Sequence, residues 1–322
     1  MLVVLGCGGS QEAAPPPAPP PEPPPAPAEP TPAAAVAPAE PAKPAEPAKP
    51  MPPKPIFRIT EGVATPESVL YDEAGDRYLV SNINGKPTDA DNNGYIMEIS
   101  PDGKVTNPKF IAGGANKAKL DAPKGSGIAE GILYVADIKV VRKFDAKTGA
   151  PKGEVAVPGA TLLNDIAVGA DNRVYVTDWG MKMGKEDFEP TGTDAVYVIE
   201  KGKLKTIAKS KELGNPNGVL ATDKGPVVAN SAGELFRLDE KGVRMDLTKL
   251  PQGGLDGIVA MGDSLLVSSW KASAVYKGKL GGSFEPVLSD LSGPADIGFD
   301  GKRKRVLVPR FMDNAVEAYE IK

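Results

Sequence analysis

One short phrase occurs six times between Thr65 and Pro309, and this repeat limits the possible folds more than any other feature of the 322-residue chain. Each copy contains a turn, a small polar residue, a Gly or Asp, a β-branched residue, a second turn and a short apolar strand. The copies read TPESVLYDEAGDRYLVSN, PKGSGIAEGILYVAD, TLLNDIAVGADNRVYVTD, NPNGVLATDKGPVVAN, GGLDGIVAMGDSLLVSS and GPADIGFDGKRKRVLVP. Alternating short strands that recur about every 40 residues are typical of the blades of a β-propeller. The sequence therefore predicts an all-β, six-bladed β-propeller over residues 56–322.

The spacing of the copies is uneven, and the unevenness has a visible cause. When the copies are aligned on Val69, Ile128, Ile166, Val219, Ile258 and Ile297, the successive separations are 59, 38, 53, 39 and 39 residues. Both long separations contain an insertion, residues 82–95 and residues 178–197, between the second and third strand of a blade. The alternative folds are a seven-bladed ring and an open sandwich, but the sequence contains no seventh copy. Stacking each blade on two neighbours in a closed ring covers its apolar faces and leaves only short edges.

A proline-rich segment precedes the repeats. Of the 34 prolines in the chain, 20 lie between Pro15 and Pro55. Residues 11–55 contain almost nothing that could form a core, so we expect a disordered, extended linker. In the polyproline II conformation such a linker reaches at most about 130 Å, at roughly 3.1 Å per residue. The predicted organisation is a leader at residues 1–10, a linker at residues 11–55 and the propeller.

The only cysteine, Cys7, follows Val4-Leu5-Gly6 and precedes Gly8-Gly9. This order of apolar, small and Cys residues resembles the lipobox at which bacterial prolipoproteins are cleaved and lipidated. It predicts a truncated signal peptide, a translation start upstream of Met1, and a lipid anchor that holds the protein on the extracytoplasmic side of a bacterial membrane. A long spacer is useful only when its far end is attached, which agrees with this interpretation. The alternative is an accidental cysteine in a short leader.

The charge and residue inventory excludes several function classes. The net charge is -4 and the basic residues are dispersed, so nothing indicates nucleic-acid binding. The one basic run, residues 302–305, follows Asp300-Gly301 and is interpreted as a solvated turn rather than as a binding patch. A chain without histidine cannot be a Ser-His-Asp hydrolase, and one with a single cysteine has neither an internal disulfide nor a thiolate metal cluster.

The residue just before each inner strand is the main functional candidate, because in a propeller this position points toward the central axis. The alignment places six residues there: Glu67, Ser126, Asn164, Asn217, Asp256 and Ala295. Two carboxylates and two amides form an oxygen ligand set that suits one divalent cation, Ca²⁺ or Mg²⁺ first, with Mn²⁺ or Zn²⁺ as possibilities. The alternative is that Asn and Asp serve only as turn formers. That alternative leaves Glu67 unexplained.

This set of residues resembles the regucalcin (senescence marker protein 30) and gluconolactonase family, and the similarity extends over residues 57–322. The matching motifs are Glu67 in TPESV, Asn164 in LLND, Asn217 in NPNGV and Asp256 in LDGIV. The resemblance implies that a Glu, an Asn and an Asp bind a divalent metal, that Asn164 helps to hold substrate, and that Asp256 is the catalytic base in the opening of a lactone. One departure concerns specificity. The family's sugar lactonases have an Arg two residues before the first Asn, where this chain has Leu162.

Residues at the ends of the second strands are expected on the same face. Among them, Asp178, Trp179, Trp270 and Arg310 are candidates for substrate binding, and Asn82, Asp137 and Asn230 occupy similar places. The tryptophans could line a pocket or pack between blades. Arg310 could receive an anionic group that the missing family Arg would otherwise contact.

Two functions remain for this sequence. The first is a metal-dependent lactonase or ester hydrolase that works outside the cytoplasm on a small-molecule substrate. The second is a lipid-anchored propeller without catalysis, which binds a ligand or a protein partner and in which the metal is structural. A fold alone does not separate them.

Overall fold

The structure of the protein is a computed structural model, and it describes residues 53–321. The predicted leader, Cys7 and nearly all of the predicted linker lie outside the described residues. Within residues 53–321, no helix is long and apolar enough to cross a bilayer.

The described chain forms six four-stranded antiparallel sheets, which confirms the six-bladed all-β prediction. Two 3-10 helices, Lys211–Leu213 and Phe311–Asp313, lie in connections. The strands in chain order are β1 Phe57–Ile59, β2 Pro66–Asp72, β3 Arg77–Asn82, β4 Tyr95–Ile99, β5 Val105–Ala112, β6 Pro123–Ala129, β7 Ile132–Asp137, β8 Val140–Asp145, β9 Pro151–Ala156, β10 Leu163–Val168, β11 Val174–Asp178, β12 Met181–Met183, β13 Phe188–Pro190, β14 Ala195–Glu200, β15 Lys203–Lys209, β16 Pro216–Leu220, β17 Val227–Asn230, β18 Glu234–Leu238, β19 Arg244–Lys249, β20 Leu255–Met261, β21 Ser264–Ser269, β22 Ala274–Gly278, β23 Phe284–Leu288, β24 Gly298–Asp300, β25 Arg305–Arg310 and β26 Ala315–Glu320.

The first five blades follow the chain, and the sixth combines its two ends. Blades 1 to 5 are β2–β5, β6–β9, β10–β15, β16–β19 and β20–β23, with the inner strand first. Blade 6 is ordered β24, β25, β26 and β1, so the outermost strand comes from the start of the propeller. Phe57 pairs with Ala318 and Ile59 with Val316. The repeat did not predict this closure, which joins the first and last blades through backbone hydrogen bonds.

Both insertions lie where the sequence predicts them, between the second and third strands of blades 1 and 3. The insertion in blade 1 is a loop between β3 and β4, whereas that in blade 3 contains the additional hairpin β12–β13. The first three residues of the basic run, 302–304, lie in a turn as predicted, and Arg305 begins β25. Arg303 bonds to Asp300 of its own blade and to Asp76 of blade 1.

Six apolar clusters hold the ring together, one at each contact between neighbouring blades. Between blades 2 and 3, for example, Ala136 and Val141 pack against Leu163 and Val176. Between blades 6 and 1, Leu307 and other blade 6 residues pack against blade 1 residues. Full burial of one large aliphatic side chain contributes about 1.5–3 kcal/mol, so the inter-blade clusters are the main source of stability. They also fix the inner strands around the axis.

Candidate metal centre and its cavity

In five of the six blades, a β-bulge at the start of the inner strand aims one side chain toward the axis. The strand pairing shifts between Pro66 and Ser68 in blade 1, and the same irregularity recurs at the equivalent point of blades 2 to 5. The bulged segments contain Glu67, Lys124, Asn164, Asn217 and Asp256. Bulges redirect side chains and are common beside active sites. The irregular backbone thus explains why polar side chains from five blades can meet.

The structure corrects the predicted ring in blade 2. Pro123 pairs with Asp137 as Pro66 pairs with Asn82, so the position equivalent to Glu67 is Lys124 rather than Ser126. Ser126 pairs with Val135, in the place that Val69 has in blade 1, and it lines a separate cavity at the other end of the inner strands. The alignment on Ile128 was wrong by two residues because PKGSGI has its β-branched residue later than the other copies. The proline that precedes the site position in blades 1, 4 and 6 was the available signal.

The four predicted metal ligands share one property. Glu67, Asn164, Asn217 and Asp256 are all at least nine-tenths buried. Each has a buried side-chain oxygen without a hydrogen-bond donor: Glu67 Oε2, Asn164 Oδ1, Asn217 Oδ1 and Asp256 Oδ1. Buried polar atoms without partners are rare and call for a specific explanation. A bound ligand that contributes positive charge would satisfy all four, which lie at one position of four blades.

The electrostatics of the two carboxylates agree with this interpretation. Burial raises the pKa of Glu67 well above its usual value, and the nearby Asp256 carboxylate raises it further. Burial also raises the pKa of Asp256 to about 7, although the Trp270 indole N–H, which donates to Asp256 Oδ2 at 2.6 Å, lowers it in part. Two buried carboxylates near one another are costly when both are ionised. A bound divalent cation would remove that cost.

The residues present fit a hard divalent cation. The set consists of two carboxylates and two amide oxygens, as hard cations prefer. No three His, Cys, Asp or Glu side chains form a metal cluster anywhere in residues 53–321, so the amides are indispensable to this set. Glu67 and Asp256 supply the charge, and Asn164 and Asn217 supply neutral oxygens.

A cavity of about 700 Å³ is lined by all four of these residues. Lys124 and the four predicted ligands line it, together with a largely apolar wall: Ile83, Leu162, Trp179, Phe188, Leu255, Trp270 and Phe311. Phe188 comes from the hairpin inserted in blade 3, and its ring meets Trp179 edge-on with centroids 4.9 Å apart. No sequence pattern indicated Phe188 or Phe311, because neither belongs to the repeated phrase.

The other candidates for substrate binding separate into two groups. Trp179 and Trp270 line the cavity, and Trp179 Nε1 donates to Ser231 Oγ at 2.8 Å. Asp178 is fully buried and accepts the backbone N–H groups of Leu162 and Gly180, both at 3.1 Å, so it holds the loop behind the cavity.

Arg310 does not line the cavity. Its guanidinium pairs with Asp313 at 2.9 Å and with Glu317 at 3.2 Å. The structure therefore places the predicted anion-binding arginine in an ion-pair network of blade 6.

A second layer of acidic residues lies one position deeper along the inner strands. Asp165 accepts the backbone N–H of Val219 at 2.7 Å, and Asp296 Oδ2 lies 2.6 Å from Ser68 Oγ. Burial raises the pKa of Asp165 to about 6. Burial also raises the pKa of Asp296 well above its usual value, and the Asp165 carboxylate adds to this effect. Protonation of these two buried carboxyls therefore stabilises the folded ring.

Replacing Asp296 by asparagine should remove much of this pH dependence. Because the folded-state pKa values of Asp165 and Asp296 lie above the unfolded values, their contribution to stability is present at acidic pH. The contribution of Asp165 is lost as the pH rises from about 4 through its folded-state pKa of about 6. The contribution of Asp296, whose folded-state pKa is raised well above its usual value, is lost as the pH rises through that pKa. The amide that D296N introduces can still donate to Asp165. Melting temperatures measured from pH 5 to pH 9 with a chelator present should converge at low pH and be higher for D296N at high pH; parallel curves would contradict this.

Solved structures of three enzymes are similar to this chain. A gluconolactonase from Xanthomonas campestris has a TM-score of 0.61 and 20% identity over 87% of this chain and 98% of its own. A luciferin-regenerating enzyme has a TM-score of 0.57 and 13% identity over 81% and 94%. Virginiamycin B lyase from Staphylococcus aureus has a TM-score of 0.54 and 14% identity over 82% and 99%. No protein-family model and no curated protein matches the sequence. The chain is therefore a six-bladed β-propeller whose fold is similar to that of a gluconolactonase.

Proposed function

We propose that this protein is a divalent-metal-dependent hydrolase of lactones or related carboxylic esters. One observation carries the proposal: four residues from four blades line one cavity, and each has a buried side-chain oxygen without a hydrogen-bond donor. The similarity in fold to a gluconolactonase and to a luciferin-regenerating enzyme supports the same class of activity.

Each residue of the site would have a separate role in the reaction. Glu67, Asn164, Asn217 and Asp256 would hold the cation, which when bound polarises a carbonyl and lowers the pKa of a water molecule. Trp270 holds Asp256 Oδ2 with its indole N–H, and Oδ1 has no hydrogen-bond partner. In this arrangement Asp256 accepts the proton that the attacking water loses.

The cavity wall favours a substrate with an apolar body. Leu162 lies in the wall where the family's sugar lactonases have an Arg, and Trp179, Phe188 and Phe311 extend the apolar surface. A sugar lactone would place hydroxyl groups against these side chains without hydrogen-bond partners, which is costly. We therefore expect aliphatic or aromatic lactones and esters to be better substrates than gluconolactone.

The absence of histidine separates this proposal from lyase activity. A histidine-to-alanine variant of virginiamycin B lyase is catalytically inactive, and this chain contains no histidine at all. The carboxylate and metal chemistry proposed above needs none.

The full-length protein, stripped with a chelator and then given Ca²⁺, Mg²⁺, Mn²⁺ or Zn²⁺, should open lactones at constant pH as measured by alkali uptake. We expect activity only with added cation, and an aliphatic δ-lactone to react about tenfold or more faster than gluconolactone, since apolar contacts discriminate by that order. Failure to open any lactone or ester with any cation would contradict the hydrolase. If a cation still raised the melting temperature, the non-catalytic binding protein would be the better description.

The proposed location follows from sequence alone. Lipidation at Cys7 would anchor the protein to a bacterial membrane on its extracytoplasmic side, where small lactones or esters reach the open cavity. A protein partner of the propeller is not required by this proposal.

A further inference from the structure

Lys124 is the one positively charged side chain in the ring of site residues, and its hydrogen bonds do not use all of its N–H donors. The side chain is only 2% exposed and lines the cavity beside Glu67. Its ammonium donates to the backbone carbonyls of Ala122 and Pro87, both at 3.0 Å. An ammonium has three N–H donors, and in residues 53–321 the third has no acceptor.

The positive charge of Lys124 is not neutralised by an ion pair in the described chain. Burial lowers the pKa of Lys124, and the carboxylates of Glu67 and Asp137, which lie beyond ion-pair distance, oppose that shift and favour the charged form. Asp137 is already engaged by Arg142, whose Nε lies 2.7 Å away, and by the backbone N–H of Ala122. Burying an unpaired charge costs free energy. A neutral donor could form the same hydrogen bonds to the two backbone carbonyls. The charge itself therefore calls for a ligand.

A charge count shows which kind of ligand fits. Glu67 and Asp256 together would balance a divalent cation, so the loaded site would be neutral without Lys124. With Lys124 the net charge of this group of residues is +1, and one excess charge beside a largely apolar wall attracts an anion.

We infer that Lys124 and the adjoining cation site form a subsite for a carboxylate attached to an apolar body. This inference rests on the proposed function. Ring opening itself generates such a group: water adds to the carbonyl carbon, the ring C–O bond breaks, and the ring oxygen takes one proton. The other proton is released, and a hydroxy-carboxylate remains. The unused N–H of Lys124 donates to the carboxylate, and the apolar wall contacts the chain attached to it.

Binding of hexanoate and of hexanamide tests this inference, because the two probes share a body and differ in charge. Calorimetry on the full-length, cation-loaded protein at neutral pH should show that Lys124→Gln weakens hexanoate binding about tenfold or more, the size of a charge-assisted hydrogen bond. Binding of hexanamide should change little. Removal of the ammonium should also tighten cation binding. If the substitution only loosened the loop at Pro87, both probes would bind more weakly to the same extent, and cation binding would not become tighter.

A matched control is Lys271→Gln, which removes the same charge from an exposed lysine at the cavity rim and should leave the selectivity for hexanoate nearly unchanged. Lys124→Met provides a second neutral variant if the glutamine variant does not fold. Equal weakening of both probes in K124Q would overturn the inference. If the selectivity depends on Lys124 but the protein opens no lactone, the hydrolase proposal is contradicted and the carboxylate subsite is supported. If the protein opens lactones but K124Q keeps the wild-type preference for hexanoate over hexanamide, the subsite is overturned and the hydrolase remains.

Discussion

Replacing Asp256 by asparagine should abolish the response of the protein to divalent cations. The variant keeps an oxygen for the Trp270 N–H but loses one of only two carboxylates among the four predicted ligands. We expect cation binding to weaken by at least about 100-fold, and lactone hydrolysis to fall to background. Calorimetric titration with Ca²⁺ and Mg²⁺, together with the alkali-uptake assay, measures both effects.

The same variant should be more stable than the wild type when no cation is bound. Because burial raises the folded-state pKa of Asp256 to about 7, ionising it at alkaline pH destabilises the metal-free fold. A neutral amide avoids that cost, which is of the order of a few kcal/mol. Thermal unfolding at pH 8 should therefore show a higher melting temperature for metal-free D256N and no increase on adding cation.

Asp187 supplies the control for this experiment, because it also lines the cavity but is exposed. Asp187→Asn makes the same chemical change at the rim and should preserve the cation response. A cation response in D256N equal to that of the wild type would mean that the four oxygens do not form a metal site.

Replacing Gly218 by alanine should strongly destabilise the ring. A Cβ at this position would lie 2.0 Å from the backbone oxygen of Asp256 and 3.3 Å from the Cα of Gly257, so no side-chain rotation can relieve the contact. The inner strands of blades 4 and 5 must separate, at a cost of about 3 kcal/mol. For a domain of this size we expect the melting temperature to fall by roughly 5–10 °C.

Gly301→Ala is the matched control, since its added Cβ would meet only the Phe299 side chain at 4.0 Å. It should leave the melting temperature nearly unchanged. Because the clash at Gly218 moves the backbone of Asp256, G218A should also weaken cation binding. A variant as stable as G301A would show that the inner strands are less tightly packed than the structure indicates.

The blade count was readable from the sequence because each repeat is a local pattern, and so was the inner-strand position of Glu67, Asn164, Asn217 and Asp256. Alternating strands and turn residues determine one blade, and its first inner position follows from the phrase. Lys124 was missed because the pattern was aligned on a β-branched residue, whereas the pairing of Pro123 with Asp137 sets the real register.

Contacts that depend on distant segments were not readable. Arg310 ends its strand near the predicted face, but only the fold shows that Glu317 and Asp313 engage its guanidinium. The three residues of β1 are too few to show a period, so their pairing with β26 could not be inferred. Phe188 reaches the cavity through an insertion that has no counterpart in the other copies.

The closure of blade 6 determines when the ring can first be completed during synthesis. Arg58 of β1 and its ion-pair partner Glu317 of β26 are 259 residues apart, so the ribosome makes one partner near the start of the propeller and the other almost at its end. Contacts of such long range are slow to form and leave strand edges exposed until they do. A nascent chain therefore has to keep β1 from pairing with other strands until its last blade has emerged.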